Sequence, residues 1–566
     1  MVGWYDPRQL IQTGLRIAAT SLFAENADSR LLQPLFDPEP KVHDATELST
    51  IDYISDTGDG FDATYAVAYW ATEPALALVD ADGRPVKDAD GSALPPLHPG
   101  QLLVLGGDEV YPTGSEEEYR SRLEGPYELA SAELGGAPTI LAIPGNHDWY
   151  ENLVAFHQIF LRKKRFGAWR TTQRRSYFAA RLAHDWWILG TDMQLGSDLD
   201  PSQLDYFESL DLGEHANVIL CHAEPHWVYE GEQARSASKF PRRPTRVERL
   251  EKKLGERLRM VVAGDLHHYR RHVMYEDAPE RPARHLVTAG GGGAFLHPTH
   301  RWRDVDADGE RPTKLDGRHV RLLKSYPSPA TSLRLTLGAL LFPFKNPGFL
   351  AASAFVYGLV SISFLLRVRE LPHDAGGRLQ ASLWNAALSP VVLLWLAALV
   401  AGFVMFTDTK RWYRLAGGIG HGGAHAAVAV GLPWLAVQFL GPAFTDDLAI
   451  QAATFLVTTT IGALLGGGIM GGYLFVSLTV FGRHRNETFS AIREKGYKNF
   501  LRMQVGPDGV DVTAFGIEAI PAWDVPLEAE AIVPRKRVRP TRQIRPGDPT
   551  HPFVIEQFRV APLRPR

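Results

Sequence analysis

Cysteine is almost absent from this 566-residue chain, in which Cys221 stands alone. No intrachain disulfide can form, which fits a reducing compartment. An excess of one charge is also missing. The formal net charge is -4, so there is no global argument for a nucleic-acid partner, and none is expected. The first residues lack an uninterrupted apolar stretch, because Asp6, Arg8 and Arg16 break it. They do not read as a secretory signal. Long apolar runs are missing before Thr331 and frequent after it, and the last stretch, from Arg483, is polar again. The apolar runs hold no chain of carboxylates, which argues against an ion pump.

What is present begins with Thr139-Ile140-Leu141-Ala142-Ile143, an apolar run that reads as a buried strand. It stops at Pro144-Gly145 and delivers Asn146-His147-Asp148 directly afterwards. In open α/β sheets ligands bind just past the carboxyl ends of strands. A polar turn would account for one such tripeptide, but the pattern recurs. Ile51–Ile54 ends in Ser55-Asp56, and Leu102–Leu105 in Gly106-Gly107-Asp108. Val218–Leu220 ends in Cys221-His222, and Met260–Ala263 in Gly264-Asp265-Leu266-His267. Five apolar runs thus finish in Asp, Asn or His, the oxygen and imidazole ligands of divalent metals.

In this order the blocks resemble the calcineurin-like metallophosphoesterase superfamily, in a membrane-anchored, bacterial-type form. The resemblance covers Ser49 to His300 and rests mainly on the Gly-Asp and Gly-Asn-His-Asp blocks. It implies an α/β fold, a two-sheet αββα sandwich, and two divalent metal ions (Mn, Fe, Mg or Zn). It implies metal ligation by Asp56, Asp108, Asn146, His222, Asp265 and His267, with Asp108 bridging the two metals. His147 is then not a ligand but lies near the leaving-group oxygen, and Asp148 orients it. Two positions depart from the family pattern. Gly58 stands where a His is usual, as in purple acid phosphatases of the same superfamily. Asp265 replaces the first His of Gly-His-x-His, and a carboxylate there favours Mn²⁺, Mg²⁺ or Fe²⁺ over Zn²⁺.

Other features of this half are less specific. Residues 71–100 carry Asp-Gly turns at Asp82-Gly83 and Asp90-Gly91 and fit a hairpin. Glu116–Leu134 reads as a helix. His226, past Pro225, is a weaker candidate for the pocket rim. Gln233–Arg259 is rich in Arg and Lys, either a solvated helix face or a lid toward anionic headgroups. The glycine run Gly290–Gly293 permits close backbone approach, with His297 and His300 just beyond. Asp304–Gly309 starts like a calcium loop, but Leu315 stands where a Glu is required, so it reads as an acidic turn.

Four apolar runs follow at spanning length, about 20 residues for ~30 Å of hydrocarbon. They lie near 348–368, 381–406, 416–440 and 452–481, the last with a bend expected at Gly466-Gly467-Gly468. Small residues in the last two favour close helix packing. His421 and His425, one turn apart, read as interfacial. Arg334, Lys345, Lys410, Arg411, Arg414, Arg483, Arg485 and Arg493 flank one side of the runs, which marks that side as cytoplasmic. In the tail, Thr488–Leu501 reads as an amphipathic helix. Val510–Phe515 is a strand after a Gly506–Gly509 turn, and Val554–Val560 is a last strand. The tail is expected to return to the catalytic domain.

The expected organisation is an N-terminal extension (1–48), a metallophosphoesterase domain (49–330), an all-α four-helix transmembrane domain (335–482) and a small α+β cytoplasmic tail (483–566). The expected activity is phosphate-ester hydrolysis at two metals by a membrane-anchored enzyme. A phospholipid or lipid-linked phosphate is the first expected substrate and a soluble nucleotide the second. The alternative is a non-catalytic metal- or ligand-binding sensor or scaffold on a membrane anchor.

Overall fold

The computed structural model describes the chain apart from residues 24–29, 31–32, 34–41, 194–197, 230–244, 276–281, 303–309, 316–317, 366–383, 385–389, 408–410, 441–442, 445, 525–536 and 564–566. The first half of the basic stretch and the acidic turn at Asp304 therefore lie outside the described residues. So do most of the loop after the first apolar run and Lys410. The chain forms two units. One holds residues 1–2, 13–330 and 494–566, and the other residues 3–12 and 331–493.

The first unit is built on two sheets. Among the described residues one has nine strands, here numbered in chain order. They run Val42–Ala45 (β1), Phe178–Leu182 (β7), Trp186–Gly190 (β8), Asn217–His222 (β9), Leu258–Ala263 (β10), Pro282–Ala289 (β12), Tyr269–Tyr275 (β11), Arg318–Tyr326 (β14) and Glu310–Leu315 (β13). The other has eight: Phe553–Val560 (β17), Gly509–Ile517 (β16), Lys498–Gly506 (β15), Thr50–Ile54 (β2), Leu102–Leu105 (β3), Thr139–Ala142 (β4), Trp169–Thr171 (β6) and Arg165–Phe166 (β5). The central strands β2, β3 and β4 are parallel, as are β8, β9 and β10.

Strand alternation explains why these runs are apolar throughout. Ile51, Tyr53, Leu102, Val104 and Leu141 point into a core shared with Cys221, Met260, Val262 and Val287 of the facing sheet. Ile54, Leu103, Leu105 and Ile140 point the other way, under the helix Phe61–Ala71 and the helical stretch after Ser115. Leu189, Leu220 and Val261 do the same under the helices Pro201–Ser209 and Arg246–Leu254. Parallel strands covered on both faces have no solvated side to leave polar. The two sheets with helices on their outer faces give a mixed α/β sandwich.

The tail extends this sandwich. β15 pairs antiparallel with β2, and β15, β16 and β17 form a meander. The expected helix at Thr488–Leu501 stops early: a helix covers Arg485–Ile492, and Asn499, Phe500 and Leu501 belong to β15. Their alternation packs Phe500 and Leu501 on opposite faces of the sheet, a demand that overrides local propensity. The helix expected at Glu116–Leu134 is broken up. It is α-helical at Glu116–Tyr119, widens to a π-helix at Arg120–Glu124, and resumes at Gly125–Ala130.

The second unit is helical. Trp412–Leu440 and Asp447–Phe481 are long and apolar enough to cross a membrane. Pro347–Ile362 reaches that standard only together with Pro329–Lys345, from which it bends by 55°, and Val392–Val404 is shorter. Among the described residues two such helices, or three, thus stand where four spans were expected. Asp447–Phe481 runs as one helix through its three glycines. Two of the three serve packing instead: Gly466 lies against Tyr357, as Gly462 does one turn earlier, and Gly467 lies against Leu350 and Pro343. His421 and His425 are buried within the unit. Tyr357 Oη lies 2.6 Å from His425 Nδ1, and His425 Nε2 lies 3.3 Å from His421 Nε2.

Candidate metal centre

The carboxyl ends of β2, β3, β4 and β10 converge on one cluster. Donor atoms of Asp56, Asp108 and His267 all lie within 4.8 Å of one another. All three side chains are buried. The chain leaves each strand sharply: Asp56, Asp108, Asp265 and His267 have φ of 59°, 52°, 68° and 37°. Left-handed backbone costs such residues of order 1–3 kcal/mol each and gathers at functional sites.

The hydrogen bonds hold this turn geometry. Asp56 Oδ1 and Oδ2 accept the Asp265 N–H at 3.0 and 2.9 Å, and Ser55 Oγ donates to Oδ2 at 2.8 Å. Asp108 Oδ1 accepts the His147 N–H at 2.9 Å. Gly145 leaves room for that approach, since a Cβ there would collide with the Asp108 carboxylate. His267 Nδ1 donates to the Phe295 carbonyl at 2.7 Å, leaving Nε2 with its lone pair 3.4 Å from Asp56 Oδ1. Tyr111 Oη stands in the middle, 2.8 Å from His267 Nε2, 3.1 Å from Asp56 Oδ1 and 3.3 Å from Asp108 Oδ2.

Asn146 faces Asp108 with one amide atom 3.0 Å from Oδ2 and 3.3 Å from Oδ1, while Tyr150 Oη satisfies the other end at 2.7 Å. With nitrogen toward the carboxylate the amide donates. With oxygen there, amide and carboxylate frame the place of a cation.

Electrostatics point the same way. Burial, and then Asp108 and Asp265, raise the Asp56 carboxyl well above its usual range. Burial, and then Asp265, raise Asp108 to about 7. Burial, and then Glu224, raise Asp265 to about 6. Burial, and then His297, push His267 well down, so its ring is neutral. The hydrogen-bond donors to Asp56 and Asp108 are thus uncharged. Desolvating an ionised carboxylate costs several kcal/mol, and an uncompensated cluster does not ionise together. Divalent cations would supply the missing charge, and the oxygen and imidazole donors fit them.

The remaining predicted residues are distributed as follows. His147 is beside Tyr111, ring centroids 4.3 Å apart, with Nδ1 on the Pro112 carbonyl at 2.8 Å. That carbonyl does the orienting expected of Asp148. The Asp148 carboxylate instead holds the turn, accepting the Gly145 N–H at 2.7 Å, the Glu109 N–H at 3.3 Å and Tyr119 Oη at 2.5 Å. His222 is not brought into the Asp56 cluster. It lies with His226 and Glu251 in a second group whose donor atoms are again within 4.8 Å.

Sequence reasoning missed Tyr111, Glu224, Tyr229 and the placing of His297. Tyr229 Oη donates to Asp265 Oδ2, and the His297 ring stacks on His267 at 3.8 Å. A phenol three residues after Asp108 was the available signal for Tyr111. Glu224 was visible only as a carboxylate two residues past a strand-end histidine.

No family model matches the chain, and no curated protein matches it. Among solved structures the chain is similar to GAP50, the anchor in the inner membrane complex of Plasmodium. That similarity has 10% identity over 48% of this chain and 76% of that one, with a TM-score of 0.29. It is similar to PhoD at 12% identity over 44% and 58% of the two chains, with a TM-score of 0.26. It is similar to the purple acid phosphatase PPD1 of yellow lupin seeds at 10% identity over 44% and 45%, with a TM-score of 0.25. The chain thus spans less than two thirds of the latter two. Similarities this distant leave the argument to the site itself.

Proposed function

We propose that the chain is a metal-dependent phosphoesterase carried on a membrane anchor. The observation that carries this is the group Asp56, Asp108 and His267 at adjoining strand ends, buried and, among the described residues, with only uncharged hydrogen-bond donors to the two carboxylates. In this reading Asp56, Asp108 and His267, with Tyr111 beside them, hold one divalent cation. Asp108, Asn146 and Asp265 hold the second, and Glu224, whose charge acts on both Asp108 and Asp265, completes that set in place of His222. Such a pair, when bound, lowers the pKa of a water between its members and draws in the phosphoryl oxygens.

The rest of the chemistry falls to the chain. Burial lowers the His147 imidazole to about 4, so it is neutral before substrate arrives. An anionic phosphate beside it favours the imidazolium. His147 then donates Nε2–H to the leaving alkoxide while Pro112 keeps the ring in place. Asp148 acts on the reaction only by holding the turn that carries Asn146 and His147.

The helices long enough to cross a bilayer support a multi-pass protein. Arg and Lys concentrated at one set of span ends support a cytoplasmic catalytic unit and tail. A lipid phosphate is then the first substrate to examine. The test is phosphate release by the detergent-purified protein with Mn²⁺, from phosphatidic acid in mixed micelles and from a nucleoside monophosphate, beside nitrophenol release from p-nitrophenyl phosphate and bis(p-nitrophenyl) phosphate. Release from the lipid above the nucleotide is expected. Preference for the nucleotide overturns the lipid assignment. Bound Mn²⁺ without release from any of the four favours the sensor.

A further inference from the structure

His222, His226 and Glu251 form a group that the proposed ester hydrolysis does not use. His222 is the last residue of β9, and His226 opens the helical turn after Pro225. Glu251 comes from the helix Arg246–Leu254, whose N-terminus is capped by Thr245. His222 is fully buried, and the His226 and Glu251 side chains are 12% and 11% exposed.

The protonation of His222 follows from its neighbours. Thr191 Oγ1 donates to the Cys221 carbonyl at 3.2 Å, so toward His222 Nδ1, at 2.7 Å, it acts as acceptor. The ring proton sits on Nδ1, and Nε2 carries a lone pair. Among the described residues that Nε2 has no hydrogen bond in good geometry, and neither does Glu251 Oε1, 3.9 Å away. His226 Nε2 comes within 3.1 Å of the same Oε1. The other Glu251 oxygen accepts from Arg284 at 2.8 Å.

Two imidazoles and a carboxylate thus converge, and among the described residues His222 Nε2 and Glu251 Oε1 face one another and His226. Ligand atoms about 2.0–2.1 Å from a tetrahedral zinc stand roughly 3.3 Å apart. The 3.1 and 3.9 Å separations bracket that value. The outer contacts are those of a metal site too: a hydroxyl on the far nitrogen of His222 and a guanidinium on the far oxygen of Glu251.

We propose that His222, His226 and Glu251 bind a Zn²⁺ ion, separate from the cations at Asp56 and Asp108, with a water in the fourth position. The zinc ties the helix Arg246–Leu254 to the end of β9. It also fixes the turn 222–226, on which Glu224 is carried toward Asp108 and Asp265. It does not depend on the phosphoesterase reading.

The test uses the full chain in detergent, stripped with a chelator, reloaded with Zn²⁺ and desalted. Wild type is expected to retain one more zinc per chain than Glu251→Gln or His226→Ala, and Asp108→Asn to keep that zinc. Equal zinc in wild type, Glu251→Gln and His226→Ala overturns the proposal and leaves an ion pair of His226, Glu251 and Arg284. Should neither variant fold, Co²⁺ loaded into Asp108→Asn decides. An intense tetrahedral visible absorption supports the site, and its absence overturns it. Failure of the phosphoesterase reading shows separately, as an Asp108→Asn variant with wild-type turnover.

Discussion

With Nδ1–H on the Pro112 carbonyl, the His147 ring has one tautomer, and Nε2 is the atom left for substrate. Replacing it with Ala is expected to lower kcat by about 10²–10⁴, the usual worth of a general acid. Bound metal should stay unchanged, since no ligand is lost. Loss of metal with loss of turnover would make His147 a ligand instead. Asp192 offers a second test at this scale. Its carboxyl accepts from Trp149 at 2.9 Å and Ser176 at 2.5 Å, and burial raises it to about 7 against the partial relief of Arg30. The folded protein therefore keeps a proton that the unfolded chain releases near pH 4. This contribution to stability is full below about pH 4 and is lost as pH rises to about 7. Melting temperatures of Asp192→Asn should fall less than those of wild type across that window. Parallel curves would show that Asp192 ionises normally.

Among the elements, β15 carries the most instructive contact. Arg502 is fully buried and grips Asp52 of β2 through two bonds of 2.7 and 2.8 Å, with a further bond to the Ala71 carbonyl at 2.6 Å. Arg502→Ala leaves a buried carboxylate unpaired and should cost about 3–5 kcal/mol. Denaturation in urea measures this, and a loss below about 1 kcal/mol would mean that water replaces the guanidinium. The strands that bear the site were legible because their apolar runs end abruptly in Asp, Asn or His. The β15–β16 hairpin was legible from its Gly506–Gly509 turn. The partner of β15 was not, because nothing local in residues 498–506 names β2. His222 shows the same limit. Its place at a strand end was readable, whereas the side chain's partner Glu251 comes from a helix 29 residues on.

At the scale of the whole molecule the chain pairs an α/β unit that carries the candidate metal ligands with a helical unit, and it passes between them near Val2, Gln12, Ala330 and Arg493. The apolar helices of the second unit predict that the protein stays in the membrane pellet after alkaline carbonate washing and leaves it only with detergent. Release by carbonate would exclude a spanning anchor. Hydropathy made the apolar half readable. It could not separate a helix long enough to span from Val392–Val404 or from the bent pair at Lys345–Pro347, where length and a break decide.

The central claim is that Asp56, Asp108 and their neighbours hold catalytic cations. It is tested most directly by measuring bound Mn²⁺ and p-nitrophenyl ester turnover on the same detergent-purified samples, wild type beside Asp108→Asn. Chelated wild type should regain both on adding Mn²⁺, and Asp108→Asn should lose more than about 100-fold in turnover together with bound Mn²⁺. Folded wild-type protein that binds no Mn²⁺ and turns over neither ester would contradict it.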